Sequence, residues 1–256
     1  MGFKVVIPAR HGATRLPGKP LRPIAGRPLV EHVYARATES QADEIIVATD
    51  DALVAETCTG FGADVELTRK DHKSGSERLA EVAMARHWSS ETTVVNLQGD
   101  EPCMHAALID QVAADLAAHD DVAMTTLAWP LADRDDLFDP HVVKVVTDAR
   151  GRALYFSRAP IPWHRDEFLR GVETLPDGVV FLRHIGLYAY RVGFLIRYVS
   201  WSPAPLELAE SLEQLRVLWR GEAIHVGIAT QPPGPGVDTA ADLERARSWL
   251  ATHPTG

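Results

Sequence analysis

The sequence predicts an α/β fold: a mainly parallel sheet covered by helices on both faces, with an inserted antiparallel subdomain. Three observations lead there. Short runs rich in β-branched residues end in polar residues, and the intervals between them carry apolar residues at helical spacing. Beyond about Trp129 two strand-like runs follow one another across a tight turn.

The first strand is KVVIPA (residues 4–9), which passes directly into a loop where Arg10, Arg15 and Lys19 are spaced among Gly12, Pro17 and Gly18. PLVEHVYARATES (28–40) has a helical pattern, EIIVATD (44–50) is a second strand, SERLAEVAMARHW (76–88) a helix and TTVVNLQGD (92–100) a third strand. Ligands of such sheets gather beyond the carboxyl ends of the strands, which places Arg10, Asp50 and Asp100 on one rim.

VVKVVTDARGRALYFS (142–157) then reads as two strands around Asp148, Ala149, Arg150 and Gly151, a hairpin connection. HIGLYAYR (184–191) is another strand. PLELAESLEQLRVLWRG (205–221) reads as one helix, with Leu206, Leu212, Leu215 and Leu218 on roughly one face and Gly221 ending it. AIHVGIA (223–229) is a strand and QPPGPGVDT (231–239) a turn. The last segment, AADLERARSWLATH (240–253), is a helix with Thr239 as N-cap and Asp242 three residues on to support it. No repeat, low-complexity tract or long polar linker interrupts the chain, so the expectation is a single domain over 1–256 with an insert at roughly 130–220.

With 256 residues, 46% of them hydrophobic, the chain can bury a large core without a covalent staple. A net charge of −9 argues against general nucleic-acid binding, so the basic opening loop is a local exception. Cys58 and Cys103 have neither metal-like spacing nor the number for a disulfide framework, and are expected as buried thiols in a reducing cytoplasm. No signal-peptide pattern and no apolar run long enough to span a bilayer is seen, so no membrane partner is expected.

Four groups of residues can carry chemistry. In the opening loop, Gly-rich backbone can approach a phosphate while Arg10, Arg15 and Lys19 neutralise it; the loop is neither a Walker A sequence nor a dinucleotide fingerprint. The competing reading is a basic loop that only aids solubility. In NLQGDEP (96–102), Asp100 follows a strand, and a carboxylate opposite a cationic loop suits Mg²⁺. Asp238, before the last helix, is the candidate second carboxylate, although a loop role beside the Thr239 cap accounts for it as well.

In TRKDHKSGSERLAEV (68–82), Ser74 and Glu77 explain the helix start, whereas Arg69, Lys73 and Arg78 exceed what capping needs and suit a nucleotide. The fourth group comprises Arg158, Arg165, His184, Tyr188, Glu213 and Gln214. His184 and Tyr188 are four apart on one strand and so share a face; with the arginines they suggest a pocket for an acidic, polyhydroxylated molecule. A lone histidine there would equally be a satisfied core group.

Taken together, IPARHGATRLPGKPL, VATDD, TRKDHKSGSERLAEV, VNLQGDEP, ALYFSRAPIPW, FLRHIGLYAYR, LEQLRVLW and PGVDTAADLERAR resemble the 3-deoxy-manno-octulosonate cytidylyltransferases, in order, from about Lys4 to Arg247. The resemblance implies a nucleotidyltransferase-like (Rossmann-like) fold, a homodimer, Mg²⁺ dependence, and the reaction of CTP with 3-deoxy-D-manno-octulosonate (Kdo) to CMP-Kdo and pyrophosphate for lipopolysaccharide assembly. It implies that Arg10 and Lys19, with Thr14 and Arg15 beside them, meet the CTP phosphates, and that Asp100 and Asp238 hold the metal. Gln98, Arg69, Ser74 and Arg78 would place the nucleotide, and Arg158, Arg165, His184, Tyr188, Glu213 and Gln214 would surround the sugar acid. One departure stands out: where the family's loop reads Ser-Thr-Arg, this chain has Ala13-Thr14-Arg15 and lacks a hydroxyl. Two other readings stay open, a cytidylyltransferase for another acidic sugar (8-amino-Kdo or a sialic acid) and a non-catalytic CTP sensor.

Overall fold

A computed structural model describes residues 2–12, 16–171 and 173–253. The chain runs β1 (Phe3–Pro8), β2 (Pro23–Ile24), β3 (Arg27–Pro28), α1 (Leu29–Thr38), β4 (Glu44–Thr49), α2 (Ala52–Gly60), β5 (Asp64–Leu67), α3 (Gly75–Ala85), β6 (Thr93–Asn96) and α4 (Ala106–Ala118). It continues with β7 (Met124–Pro130), α5 (Arg134–Phe138), β8 (Lys144–Thr147), β9 (Ala153–Ser157), α6 (Arg165–Leu169), β10 (Leu182–Arg191) and α7 (Val192–Val199). Last come α8 (Pro205–Glu210), α9 (Leu215–Trp219), β11 (Ile224–Ile228) and α10 (Ala240–Thr252).

The main sheet has the order β11-β7-β10-β6-β1-β4-β5, with β1 parallel to both β4 and β6. Alternation along β1 decides which face each side chain serves. Val5 and Ile7 enter a core with α1, α2, α4 and α10, whereas Val6 enters the opposite core with α3, α7 and α9. Each fully buried Val, Leu or Ile contributes about 1.5–3 kcal/mol, so both faces must be covered for the strand to be stable here. The result is the expected doubly covered sheet.

The stretch 130–220 is woven into that sheet. Its β10 lies antiparallel between β6 and β7, with Leu187 and Ala189 on one core and Tyr188 and Tyr190 on the other. The β8–β9 hairpin, turning at Asp148–Gly151 as the sequence predicts, pairs with β10 at Leu182 and Arg183. A small third cluster of Leu131, Leu137, Phe168 and Phe181 packs α5 and α6 beside it.

One helix differs from expectation. The segment 205–221 is two short helices, because Ser211 adopts φ 52° and turns the chain left-handed between them. The fold-back lets the buried Arg216 donate from Nε to Glu207 Oε2 at 2.7 Å, and Glu207 also accepts from the Ala204 N–H at 2.9 Å. Either charge would be left buried and uncompensated if the turn opened, which ties the chain to this fold-back. Gly221, at φ 76°, ends α9 as predicted.

Candidate active site

The carboxyl ends of β1 and β6 open onto a cleft of about 320 Å³ whose lining includes Arg10, Lys19, Ser74, Arg78, Gln98, Asp100 and Asp238. Each arrives by a local device. Arg10 follows β1, whose end is fixed by the Ala9 N–H donating to the Ala48 carbonyl. Gly18, at φ 65°, turns the chain so that Lys19 opens a 3-10 turn over Lys19–Leu21. Asp100 lies in the turn after β6, closed by the Glu101 N–H on the Gln98 carbonyl. Asp238 precedes α10, whose Thr239–Asp242 capping box also takes the Asp238 N–H. The Val237 N–H donates to the Asp100 carbonyl at 2.8 Å, tying the two acidic loops together.

The ammonium of Lys19 sits where these loops meet. It donates to Asp100 Oδ2 at 2.8 Å, Asp238 Oδ1 at 2.8 Å and the Val237 carbonyl at 2.9 Å, which uses all three of its protons. Burial opposes its charge, but Asp100 and then Asp238 outweigh burial and raise its pKa. Two carboxylate oxygens and a carbonyl converging on one cation are a hard, all-oxygen donor set, which fits Mg²⁺. Beside them Glu101 is pushed up to about 8, first by burial and then by the charge on Asp100, so its carboxyl is largely protonated at neutral pH.

The positive end of α3 also faces the cleft. Ser74 caps it, accepting from the Glu77 N–H at 3.2 Å, while Glu77 accepts from the Lys73 N–H at 2.7 Å. Gly75 opens α3 beside the Pro8 ring and the side chains of Asn96 and Gln98, at ordinary contact distance for a Cβ built there. Arg78 is buried, donating to Asp50 Oδ2 at 3.0 Å and to Thr68 Oγ1, so its charge is already matched at the rim. Arg69 is outside the cleft lining; it is exposed and lies 3.6 Å from both Asp71 and Glu81. Thr14, Arg15 and the Ala13 departure fall outside the described residues.

A second polar group adjoins the cleft through α3. Ser76 Oγ donates to Glu213 Oε1 at 3.0 Å, and the Tyr198 hydroxyl donates to the Glu213 carbonyl at 3.0 Å. Burial raises the Glu213 pKa, against the Ser76 hydrogen bond and the charge of Arg216. Gln214 is buried with its Nε2 unpartnered. The bulge in β10 between Ile185 and Tyr188 keeps His184 and Tyr188 on one side, rings 5.3 Å apart. Burial, then Arg183, lowers His184 to about 3. Neutral His184 approaches Thr126 Oγ1 at 3.0 Å, and that hydroxyl also lies within 3.0 Å of the Ile185 and Leu187 carbonyls. Its single proton goes to a carbonyl, so Nε2 of His184 is the donor to Thr126 and Nδ1 is left as an acceptor.

Arg158 and Arg165 stand apart from these. Arg158 donates from Nε to the Glu210 carbonyl at 2.7 Å and from Nη1 to the Pro140 carbonyl at 2.9 Å, while Arg165 is exposed at the start of α6. Sequence reasoning passed over Arg183. Its charge reaches both Glu101 and His184, and its Nε is buried without a partner, so it links the acidic centre to the polar group on β10. Nothing in the spacing of LRHIGLY marks it out, since a strand arginine usually serves a surface.

The chain is similar to known proteins over nearly its whole length. The cytidylyltransferase family profile matches residues 4–224. The 3-deoxy-manno-octulosonate cytidylyltransferase of Pseudomonas fluorescens is 56% identical over 248 residues, covering 97% of this chain and 98% of that protein. The protein of the same name from Pseudomonas syringae is 55% identical with the same coverage. A solved CMP:2-keto-3-deoxy-manno-octonic acid synthetase complexed with CTP superposes with a TM-score of 0.89 at 38% identity, over 99% of this chain and 100% of that one. A cytidylyltransferase from Leptospira borgpetersenii, at 17% identity and TM-score 0.62, shares the fold.

Proposed function

We infer the reaction from the family to which the chain belongs, the 3-deoxy-manno-octulosonate cytidylyltransferases: it transfers CMP from CTP to the anomeric hydroxyl of Kdo and releases pyrophosphate. The observation that carries the reading is the meeting of Arg10, Lys19, Asp100 and Asp238 in one cleft against the N-terminal end of α3. The anomeric oxygen forms a bond to the α-phosphorus and gives up its proton to solvent, while the bond to the bridging oxygen of pyrophosphate breaks. A single displacement needs no covalent intermediate, so the residues act by positioning and charge.

Arg10 and Lys19 bind the triphosphate, and the positive end of α3 adds its backbone donors. Asp100 and Asp238 would hold Mg²⁺, which when bound draws charge off the phosphate oxygens. Gln98, which lines the cleft beside Gly75, would face the nucleotide. Arg183, His184, Tyr188, Glu213 and Gln214 receive the sugar acid: the arginine offers its unpartnered Nε to the carboxylate, and His184 Nδ1 and the Glu213 carboxyl accept from hydroxyls. We assign Arg158 a supporting position here, because backbone carbonyls hold two of its three nitrogens.

Further parts of the reading are a role in lipopolysaccharide assembly, a cytoplasmic setting and a homodimer. Cys58 and Cys103 are buried free thiols, both pushed up to about 12 by burial, in keeping with a reducing compartment. Leu154 on β9 and Leu208 on α8, at 62% and 68% exposure, supply apolar surface for a second copy; the two elements are joined by the Ser157–Glu210 hydrogen bond.

Pyrophosphate release from CTP with Kdo, 8-amino-Kdo or N-acetylneuraminate tests the substrate, and Kdo should give the highest kcat/KM by at least tenfold. No release with any sugar acid would leave only CTP binding. For the metal, Asp100→Asn and Asp238→Asn should each lower turnover by orders of magnitude and shift the Mg²⁺ titration to higher concentration. An unchanged titration in either variant removes that residue from the metal site.

A further inference from the structure

We propose that Asp115, His119 and His225 form a binding site for a borderline divalent transition metal of the Zn²⁺ class, at the end of the sheet opposite the catalytic cleft. Asp115 and His119 are four apart at the C-terminal end of α4, so they share a face, and His225 faces them from β11. Candidate ligand atoms of the three side chains lie within 4.8 Å of one another. Asp115 Oδ2 is 2.6 Å from His225 Nδ1, and Asp115 Oδ1 is 3.4 Å from His119 Nδ1, whose proton goes to the Asp115 main-chain carbonyl at 2.8 Å and is released when the ring turns onto a metal. The two imidazoles stack with centroids 3.8 Å apart. None of the three lines the cleft that holds Lys19 and Asp100. Because α4 runs back along the sheet from the Asp100 turn, its C-terminal end lies at the far ends of the parallel strands.

The donor set decides the class of ion. Two imidazole nitrogens and one carboxylate oxygen suit Zn²⁺, Co²⁺ or Ni²⁺ and are poor for Mg²⁺, which prefers oxygen. The Asp100–Asp238 pair has the reverse character, so one chain carries two centres of different preference. Three protein ligands leave a fourth position for water, and the site is open on the side of His119, whose side chain is 34% exposed.

The scaffold is fixed independently of the cluster. Gln111 of α4 donates to the Ile228 carbonyl at 2.8 Å and accepts from the Thr230 N–H at 3.0 Å, pinning α4 to the end of β11. Two glycines keep the approach clear. A Cβ on Gly227 would lie 3.3 Å from Asp115 Oδ2, and one on Gly151 would lie 2.7 Å from His225 Nε2. The nearby Arg152 is neutralised by Asp121. Binding requires the stacked rings to splay so that both lone pairs meet one ion, a side-chain rotation that falls on His119, which lies just beyond the helix end. The ligands bind as neutral imidazoles and a carboxylate, without a co-reactant. Such an ion would clamp α4 to the edge strand β11 and stabilise the fold rather than take part in nucleotidyl transfer.

The test uses the untagged full chain, stripped with EDTA and desalted, then titrated with Co²⁺ by visible absorption and with Zn²⁺ by equilibrium dialysis. One Zn²⁺ per chain should persist in an Asp100→Asn/Asp238→Asn variant, with a tetrahedral Co²⁺ band. His119→Ala should weaken it by at least about tenfold, since even outer partners of metal ligands are worth that much. Zn²⁺ should raise Tm more for the parent than for His119→Ala, whose pyrophosphate release with CTP and Kdo should match the parent and so certify its fold. Absence of saturable Zn²⁺ binding overturns the proposal. So does binding unaffected by His119→Ala, or binding lost with the two aspartates.

Discussion

Substituting Gly99 by alanine should damage the site through backbone alone. Gly99 sits in the turn between β6 and Asp100, and a Cβ built there lies 2.6 Å from the Pro8 carbonyl oxygen, 3.4 Å from the Pro8 carbonyl carbon and 3.5 Å from Ala9 Cα. The glycine φ lies outside the left-handed region, so closeness and not backbone conformation demands it. The contact is with backbone on both sides, which no rotamer change relieves. An ordinary carbon–oxygen contact requires the ends of β1 and β6 to separate by roughly 0.8 Å.

Overpacking of this kind costs about 1–3 kcal/mol. At about 2–4 °C per kcal/mol for a domain of this size, Tm should fall by about 2–12 °C. The separation moves Arg10, after β1, away from Asp100, after β6, and a displacement near 1 Å costs about 10²-fold in rate. The assay is steady-state pyrophosphate release with CTP and Kdo, alongside thermal unfolding. Gly60→Ala is the control, since nothing lies within 4 Å of its added Cβ. Parent-like kcat/KM in Gly99→Ala would refute the argument even if Tm dropped, because the close approach would then serve packing and not the site.

Lys19→Met should lower kcat by at least about 10²-fold, the usual loss of one preorganised donor, with the Kdo KM within threefold of the parent; a change confined to the Kdo KM would move Lys19 to the sugar pocket. Ser76→Ala removes the donor to Glu213 Oε1 and should raise the Kdo KM while leaving the CTP KM unchanged, by an amount equivalent to about 1–3 kcal/mol; equal effects on both substrates would count against the assignment. His184, held at about 3 against 6.5 unfolded, opposes folding as pH falls between those values, because the unfolded chain takes up a proton that the folded one refuses. Tm should therefore decline less steeply from pH 7 to pH 4 in His184→Asn than in the parent, and identical slopes would refute the burial of a neutral ring.

Much of the fold is legible because it is local. β1, β4, β6, the β8–β9 hairpin and the caps at Ser74 and Thr239 all announce themselves through β-branched runs, turn residues or a capping pattern. β7 does not: MTTLAWP lacks alternation because it is buried on both faces between β10 and β11. Nor does the break at Ser211, which depends on Glu207 and Arg216 meeting across the turn. The same division runs through the site. Arg10 and Asp100 follow strand ends and Lys19 lies in the loop after β1, so they can be placed from the sequence, but the pairing of Asp100 with Asp238 rests on long-range bonds from Val237 and Lys19. Arg69 and Arg78 share a charged stretch, yet only the fold shows one facing solvent and the other matched to Asp50.

Lys19 connects the stability of the site to its chemistry. Asp100 Oδ2 and Asp238 Oδ1 are each 2.8 Å from the same ammonium, so without it two carboxylates would face one another across the cleft beside Glu101. Its pKa is raised, so its contribution to stability is complete below the unfolded value near 10.5 and fades only as pH climbs through the higher folded value. It is therefore an ammonium throughout the neutral range. On the proposed reading a divalent cation would compete for the same two oxygens, and the triphosphate accompanying it would offer the lysine a second anionic partner. The carboxylates that hold Lys19 and the phosphates proposed to receive it would then be alternative partners for one charge, so that substrate could enter without leaving either an acid pair or an ammonium unmatched.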